Sequence, residues 1–218
     1  MGTEIDLLKN YPRTKRDPGA RGATKTEEDR AIARQFGKDF FDGDRKYGYG
    51  GYSYNSRFWQ PVVHDFIEFY SLDENSSILD IGSGKGFMLY DFLQLLPGVK
   101  VQGIDISEYA IENSLEEIKE FQQVADARDL PFEDDSFDLA ISINTLHNLE
   151  RDECALGLRE AQRVSKDTFI TVDAYSNEQE RIDMDAWNLT ALTFMHVDEW
   201  KTFFKEEGYS GDYYWFIP

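Results

Sequence analysis

The chain has few of the residues that form disulfides or bind metals: one cysteine and three histidines among 218 residues. The single Cys154 excludes an internal disulfide framework, so we expect a reducing, cytoplasmic setting. Cys154 falls in a helical pattern, where a small buried thiol is a better interpretation than a nucleophile. His64, His147 and His196 contain no helical pair four residues apart and have no cysteine partner, so no metal site is predicted.

The sequence also lacks long apolar runs and positive charge. No stretch approaches the ~20 apolar residues that a membrane span needs. The N-terminus shows no charged-then-apolar secretory signal, so neither a membrane nor a secreted location is predicted. The chain carries 42 acidic and 23 basic side chains, a net charge of −19. Because such a surface repels phosphate backbones, the charge argues against nucleic acid as a substrate.

Residues 7–25 differ from the rest of the chain in charge, since here six basic side chains outnumber one acidic side chain, Asp17. Prolines and glycines interrupt this segment and predict a flexible arm over residues 1–25. An alternative is that the arm reaches over the functional site and meets an anionic substrate. The basic residues are Lys9, Arg13, Lys15, Arg16, Arg21 and Lys25.

Residues 26–72 predict a helical cap with a lid. Helices are expected over 26–42, with Thr26 as N-cap, and over 58–70. Between them, four tyrosines alternate with glycines, which favours a hinged loop over a ligand. We expect Tyr54 at the cofactor and Tyr47, Tyr49 and Tyr52 at the substrate. The alternative is an irregular loop that only packs on the domain.

The most informative stretch is Ile78–Phe87, with the sequence ILDIGSGKGF. An apolar run, then Asp80, then glycines at alternate positions predict a strand, a ligand-binding turn and a helix. Position 87 is Phe, so the dinucleotide fingerprint G-x-G-x-x-G is absent, and so is the phosphate loop. The pattern D-x-G-x-G-x-G resembles motif I of the class I S-adenosylmethionine-dependent methyltransferases. The resemblance implies cofactor contacts from Asp80, Gly82, Ser83, Gly84 and Gly86.

Three further segments resemble the same family, in its order. Asp105 ends a second buried strand and is implied to hold the ribose hydroxyls, with Ile106 beside it. In the segment VADARDLPF, Asp126 and Ala127 are implied to contact the adenine. The segment DDSFDLAIS, followed by Asn144, resembles the family's fourth strand and completes the cofactor residues.

Residues 73–218 predict a Rossmann-like α/β core, because strand and helix patterns alternate. This implies a doubly wound, mostly parallel sheet of six or seven strands. Strands are expected near 78–82, 100–105, 121–125, 137–143, 168–174 and 212–217, and helices near 86–96, 108–119, 152–164 and 197–207. The family's antiparallel edge strand is either missing or replaced by an irregular one at 192–196.

The resemblance implies a substrate pocket near the end of the fourth strand and in the insertion 175–195. His147 is the candidate general base, since its ordinary pKa suits that task. The alternative is a histidine that only shapes the rim. Candidate substrate contacts are Asp173, Tyr175, Trp187, Asn188 and His196.

We therefore expect transfer of a methyl group from S-adenosylmethionine to an oxygen or nitrogen atom of a small molecule. S-adenosylhomocysteine would be the product. The chain looks like bacterial methyltransferases of sugar or secondary-metabolite type, and a homodimer is compatible with them. The alternatives are a non-catalytic cofactor-binding partner, a protein methyltransferase and a nicotinamide-dependent oxidoreductase. Fold and cofactor motifs do not identify the acceptor.

Overall fold

The computed structural model describes residues 2–13 and 17–218, so Lys15 and Arg16 of the predicted arm lie outside the described residues. Within that part of the chain the strands are β1 Ser77–Ile81, β2 Lys100–Asp105, β3 Gln122–Val124, β4 Phe137–Ile143, β5 Ser165–Tyr175, β6 Met195–His196 and β7 Asp212–Phe216. The helices are α1 Pro18–Gly22, α2 Glu27–Ala33, α3 Lys38–Asp42, α4 Ser56–Tyr70, α5 Phe87–Leu95, α6 Glu108–Glu112, α7 Arg151–Val164, α8 Glu178–Trp187 and α9 Val197–Glu206.

The described strands form one sheet in the order β3-β2-β1-β4-β5, and every pairing is parallel. On the far side of β5, β7 pairs with Phe169–Asp173, and the short β6 pairs with Ala174 and Tyr175. The predicted α/β sheet of six or seven strands is thus confirmed. Among the described residues no antiparallel edge strand occurs, and the irregular strand expected at 192–196 is the two-residue β6.

Helices cover both faces of the sheet, as buried parallel strands require. One apolar cluster joins α7 and α9 to the sheet and contains Trp200, Phe204 and Leu158. The other cluster joins α4 and α5 to the opposite face and contains Phe66 and Phe92. The apolar run of β1 is buried on both sides, which places its end, and the glycine turn after it, above the sheet.

The predicted helix over 26–42 is two helices. Thr26 and Asp29 form the expected capping box and start α2, but the chain leaves the helix at Phe36, whose φ is +48°. The backbone oxygen of Phe36 accepts a hydrogen bond from the hydroxyl of Ser107, at the end of β2. This tertiary contact, followed by Gly37, ends the helix and turns α3 toward the glycine loop.

The described parts of the predicted arm are packed rather than detached. The amide of Ile5 donates to the oxygen of Tyr213 at 3.0 Å, which places this segment along β7. Leu7 is 2 % exposed and belongs to the apolar cluster under α4. Helix α1 lies against α8, where the Lys25 ammonium donates to the oxygen of Trp187 at 2.5 Å. The expectation of an untethered arm is therefore wrong for these residues.

No helix in the described ranges combines the length and apolar character needed to cross a bilayer.

Candidate active site

A cavity of about 940 Å³ lies at the carboxyl ends of β1, β2, β4 and β5. The cap, which is residues 17–54 with α1, α2 and α3, forms its roof. The carboxyl edge of a parallel sheet is where such folds bind ligands, because the loops there are free of strand pairing. Of the predicted cofactor residues, those that line it are Gly82, Gly84, Asp105, Ile106, Asp126, Ala127 and Asn144.

The glycine loop after β1 is bent by three residues with positive φ: Gly82 at +85°, Gly84 at +54° and Gly86 at +74°. The amides of Gly82 and Ser83 donate to the oxygen of Ile104 at 2.8 and 2.9 Å, which ties the loop to β2. In front of Gly84 the nearest group is the Phe41 ring of the cap, which an added Cβ would approach to 3.3 Å. The loop therefore presents bare backbone to the cavity, as motif I predicts.

Asp105 is fixed by backbone amides rather than by a cation. Its carboxylate accepts from the amides of Gly84 and Ser107, both at 2.8 Å. Burial raises the pKa of Asp105 despite these hydrogen bonds. The residue thus couples the glycine loop to β2 and still lines the cavity.

Asp80 lies behind the glycine loop, 6 % exposed, and is not part of the cavity wall. Burial, and secondarily the charge of Asp105, raises its pKa to about 7. Its carboxyl group accepts no hydrogen bond from the described residues. A buried carboxyl group without a partner is costly, which makes Asp80 an acceptor available to a ligand at this loop. Ser83 and Gly86 also lie outside the cavity wall.

Asp126 is engaged by a residue that the sequence analysis missed. The guanidinium of Arg128 donates to both carboxylate oxygens of Asp126, at 2.6 to 3.0 Å, and also binds Glu153. This ion pair lowers the pKa of Asp126. The amine contact predicted for Asp126 would therefore have to share the carboxylate with Arg128. Ala127 and the exposed side chain of Ile106 provide an apolar surface beside it.

Lys85, inside motif I, is a second residue that the sequence analysis missed. Its ammonium, in a residue 9 % exposed, donates to both carboxylate oxygens of Asp42 at 2.5 and 2.6 Å and to the oxygen of Tyr52 at 3.1 Å. The hydroxyl of Tyr109 donates to the same Asp42 at 2.7 Å. The sequence signal for this contact was a lysine placed between two glycines of the loop. In the structure Lys85 fastens the cap to the glycine loop.

The four lid tyrosines have different environments, and only Tyr49 is among the described residues that line the cavity. Its hydroxyl accepts from the amide of Leu189 at 2.8 Å, and its ring stacks on Trp187 at 6.1 Å. Burial raises the pKa of Tyr49 to about 12. Tyr54 instead donates to Asp91 at 2.5 Å, away from the cavity wall. Tyr47 and Tyr52 also lie outside that wall.

His147 lines the cavity but is 3 % exposed, and burial lowers its pKa to about 3. Its Nδ1 accepts a hydrogen bond from the amide of Asp173 at 2.9 Å, so the proton of the neutral ring is on Nε2. Nε2 faces the Asp173 carboxylate at 3.6 Å. With one nitrogen occupied and the other protonated, the ring has no free lone pair. This geometry argues against the predicted role of general base.

The other predicted substrate residues divide into two groups. Asp173 and Trp187 line the cavity. Tyr175 and His196 do not; their rings lie 5.7 Å apart, and Nδ1 of His196 accepts from the amide of Asp198 at the start of α9. His196 thus caps a helix. Asn188 lies behind Trp187, where its side chain closes a turn with Ala191.

Residues 72–208 match the family model described as methyltransferase domain, which is more than half of the chain. The chain therefore belongs to this family, the class I S-adenosylmethionine-dependent methyltransferases. It is 35 % identical over 143 residues to the tRNA (carboxymethyluridine(34)-5-O)-methyltransferase of Arabidopsis thaliana, covering 64 % of this chain and 33 % of that protein. It is 40 % identical over 70 residues to the mouse (Mus musculus) arginine-hydroxylase NDUFAF5, covering 32 % of this chain and 20 % of that protein.

The chain spans about a third of the length of the plant relative and a fifth of that of the mouse relative. Among solved structures, the YcgJ protein from Bacillus subtilis superimposes with a TM-score of 0.54 at 21 % identity, over 65 % of each chain. The MccD protein gives a TM-score of 0.54 at 24 % identity, over 66 % of this chain and 68 % of that one. At these identities the structures support the fold alone.

The cofactor of this family fits the residues at the carboxyl edge. A nucleoside with a ribose needs acceptors for its hydroxyls, and Asp105 supplies a carboxylate in the cavity wall. A methionine moiety needs backbone that it can approach closely and an acceptor for its ammonium. The backbone of Gly84 lines the cavity and meets the first need, whereas Asp80 lies behind the loop and its contact with the ammonium stays a prediction.

Proposed function

We propose that the protein transfers a methyl group from S-adenosylmethionine to an oxygen or nitrogen atom of a small molecule. The observation that carries the proposal is one continuous cavity that joins the backbone of Gly82 and Gly84, and the side chain of Asp105, to an aromatic cap. One ligand on the glycine loop and a second under the cap would meet in that space.

S-adenosylmethionine, when bound, supplies an electrophilic methyl group on a sulfonium. Asp105 would hold the ribose, Ala127 and Ile106 would face the adenine, and Gly84 and Asp80 would hold the methionine end. The leaving group needs no proton, so the chain's main contribution is to position the nucleophile and exclude water. The cap provides this exclusion, because Lys85 and Asp42 fasten it to the glycine loop.

His147 acts in this proposal as a positioning residue. It accepts from the backbone amide of Asp173 and presents Nε2 to the same residue's carboxylate, which fixes Asp173 in the cavity wall. Tyr49 stacks on Trp187 in the same cavity wall, and the two rings would limit the height of the acceptor's slot. The arrangement orients an acceptor and assigns no general base.

A second candidate acceptor is RNA, because the plant relative is named for methylation of a tRNA uridine. The net charge of −19 and the roof over the cavity favour a small molecule. The mouse relative is named for hydroxylation, so the reaction itself needs a direct measurement.

The first experiment is calorimetric titration with S-adenosylmethionine, S-adenosylhomocysteine and NAD. Micromolar binding of the first two and none of NAD supports the cofactor assignment; no binding of S-adenosylmethionine contradicts the whole proposal.

A second experiment tests the acceptor. Methyl-labelled S-adenosylmethionine is incubated with protein and cell extract, and the label is counted in small-molecule, RNA and protein fractions. Asp105→Asn protein is the control. Label in the RNA or protein fraction would contradict the proposed acceptor. The homodimer and the cytoplasmic location are not tested by these experiments and stay predictions.

A further inference from the structure

The charged residues of the cavity wall are arginines and aspartates, with no lysine or glutamate among the described residues that line it. Arginine is the larger group, five against four, in a chain with nearly twice as many acidic as basic side chains. The cavity therefore reverses the charge balance of the molecule. These residues are Arg13, Arg34, Arg45, Arg57 and Arg128, with Asp6, Asp105, Asp126 and Asp173.

Two of these arginines are neutralised by the chain itself. Arg13 pairs with Asp6 at 2.6 Å, and Arg128 pairs with Asp126 at 2.6 Å. Asp105 is satisfied by backbone amides. Within the described ranges, Arg34, Arg45 and Arg57 form no ion pair with a carboxylate, and Arg57 rests on the Phe58 ring at 4.7 Å. The positive charge of Arg34 and Arg45 is thus left for a ligand.

Arg34 and Arg45 are held at the cavity by the backbone of the cap. Arg34 caps the end of α2, and its Nε is buried without a hydrogen-bond partner among the described residues. Burying a donor without a partner is costly, so an unpaired buried donor at a cavity points to a ligand that accepts its hydrogen bond. The guanidinium of Arg45 lies on Gly50, at φ +95°, where a Cβ would overlap Nη1.

The rest of the roof is apolar and aromatic. Phe36 and Phe40 pack edge to face at 5.3 Å, Phe40 and Phe41 pack in the same way at 5.0 Å, and all three line the cavity. Guanidinium groups next to ring faces and edges suit a ligand with an anionic head and a flat apolar body.

We propose that the methyl acceptor is a small organic anion, whose carboxylate or phosphate group is bound by Arg34 and Arg45 and whose apolar body lies on the cap phenylalanines. The inference rests on the proposed function, because it takes the acceptor to occupy the cap end of the cavity. The cofactor's own methionine carboxylate is a second source of the same charge, and the test separates the two.

The test is calorimetric binding of three probes of similar shape to the protein saturated with S-adenosylhomocysteine: benzoate, phenyl phosphate and the neutral benzamide. The variants are Arg34→Gln and Arg45→Gln. The matched control is Arg159→Gln, an arginine of α7 whose side chain is 55 % exposed and pairs with Glu207. We expect at least one of the two anions to bind tenfold or more tightly than benzamide. That preference should fall at least fivefold in each cavity variant and persist in the control.

Equal binding of the anions and benzamide, or a preference that survives both cavity variants, would overturn the inference. So would a loss of S-adenosylhomocysteine affinity in Arg34→Gln or Arg45→Gln as large as the loss of anion affinity, because the guanidinium would then hold the cofactor. If S-adenosylhomocysteine does not bind the wild-type protein, the proposed function fails. The same titrations on the unliganded protein then decide whether the arginines bind anions.

Discussion

The two ends of the cavity are built in different ways. The glycine-loop end is made from residues 80–105, where hydrogen bonds of the backbone fix the turn and the Asp105 carboxylate against two neighbouring strands. The cap end takes Arg34, Tyr49 and Trp187 from separate segments, held together by side-chain contacts such as the stacking of Arg21 on Tyr49 and Trp187 at 4.9 and 4.5 Å. One end is determined by local sequence, and the other by tertiary packing.

Their charges differ as well. Aspartates dominate the glycine-loop end, whereas arginines without carboxylate partners are a feature of the cap end. A ligand pair with a cationic group at one end and an anionic group at the other would match this polarity. Substitutions at each end should therefore separate cofactor binding from acceptor binding.

The largest effect is expected from alanine at the glycine loop. Gly82 has φ +85°, and a Cβ there would overlap the Thr145 side chain. Gly82→Ala should lower the free energy of unfolding by more than about 3 kcal/mol, since strain and overlap add. Gly51→Ala, in the lid, has φ +80° but open space and should cost about 1 kcal/mol.

Gly37→Ala is the control for both substitutions. Its φ is −90° and no atom lies within 4 Å of an added Cβ, so its stability should change by less than about 0.5 kcal/mol. Urea unfolding of the three variants measures the series. Equal losses at Gly82 and Gly51 would contradict the close approach of Thr145 to the loop.

The next effect concerns cofactor affinity. In Asp105→Asn one carboxylate oxygen becomes an NH₂ group, which cannot accept from the amide of Gly84 or Ser107. S-adenosylhomocysteine should bind about 10–100-fold more weakly, as the loss of a charged hydrogen-bond partner typically causes. Asp167→Asn, an exposed residue of β5, is the control. Unchanged calorimetric affinity in Asp105→Asn would contradict the ribose assignment.

The contrast between the ends also decides what the sequence could predict. The strands β1, β2 and β4 begin and end within one residue of their predicted bounds, because each is a short run of mostly buried residues. Most of the predicted cofactor residues are in the cavity wall, because they follow the ends of these strands. The capture of Asp126 by Arg128 was not predicted, since a pair two residues apart forms only when the turn bends that way.

The cap was predicted less well. The break at Phe36 depends on Ser107, 71 residues away, and the packing of α1 depends on α8. Periodicity within a segment contains no record of such partners. His147 lines the cavity, and its role there stays a prediction. Its burial and the amide of Asp173, which remove its basicity, follow only from the folded chain.

Asp80, at the glycine-loop end, makes the stability of the protein depend on pH. Its pKa is about 7 in the folded protein and 3.8 in the reference state, so the folded state binds the additional proton between these values. Its contribution to stability is present at low pH and is lost as pH rises toward 7. Asp80→Asn removes this loss, so its free energy of unfolding should rise by about 2–3 kcal/mol relative to wild type between pH 5 and pH 8. Both proteins retain His147, whose opposite dependence cancels in the difference. Urea unfolding of both proteins at pH 5 and pH 8 measures this difference in stability. A difference that does not vary with pH would contradict the raised pKa of a buried Asp80.

The smallest effects come from two lid tyrosines that differ only in their partners. The hydroxyl of Tyr54 donates to Asp91, a fully buried residue whose other oxygen has no partner among the described residues. Tyr54→Phe removes this donor from the buried carboxyl group and should cost about 1–2 kcal/mol. The hydroxyl of Tyr52 is buried and, in the part of the chain described, has no partner. Tyr52→Phe should therefore change stability by less than about 0.5 kcal/mol, or stabilise the protein slightly.

Thermal unfolding of the two variants compares them directly, because each removes one hydroxyl from the same loop. A larger loss for Tyr52→Phe would mean that the lid holds a different arrangement, with Tyr52 rather than Tyr54 anchored to the core.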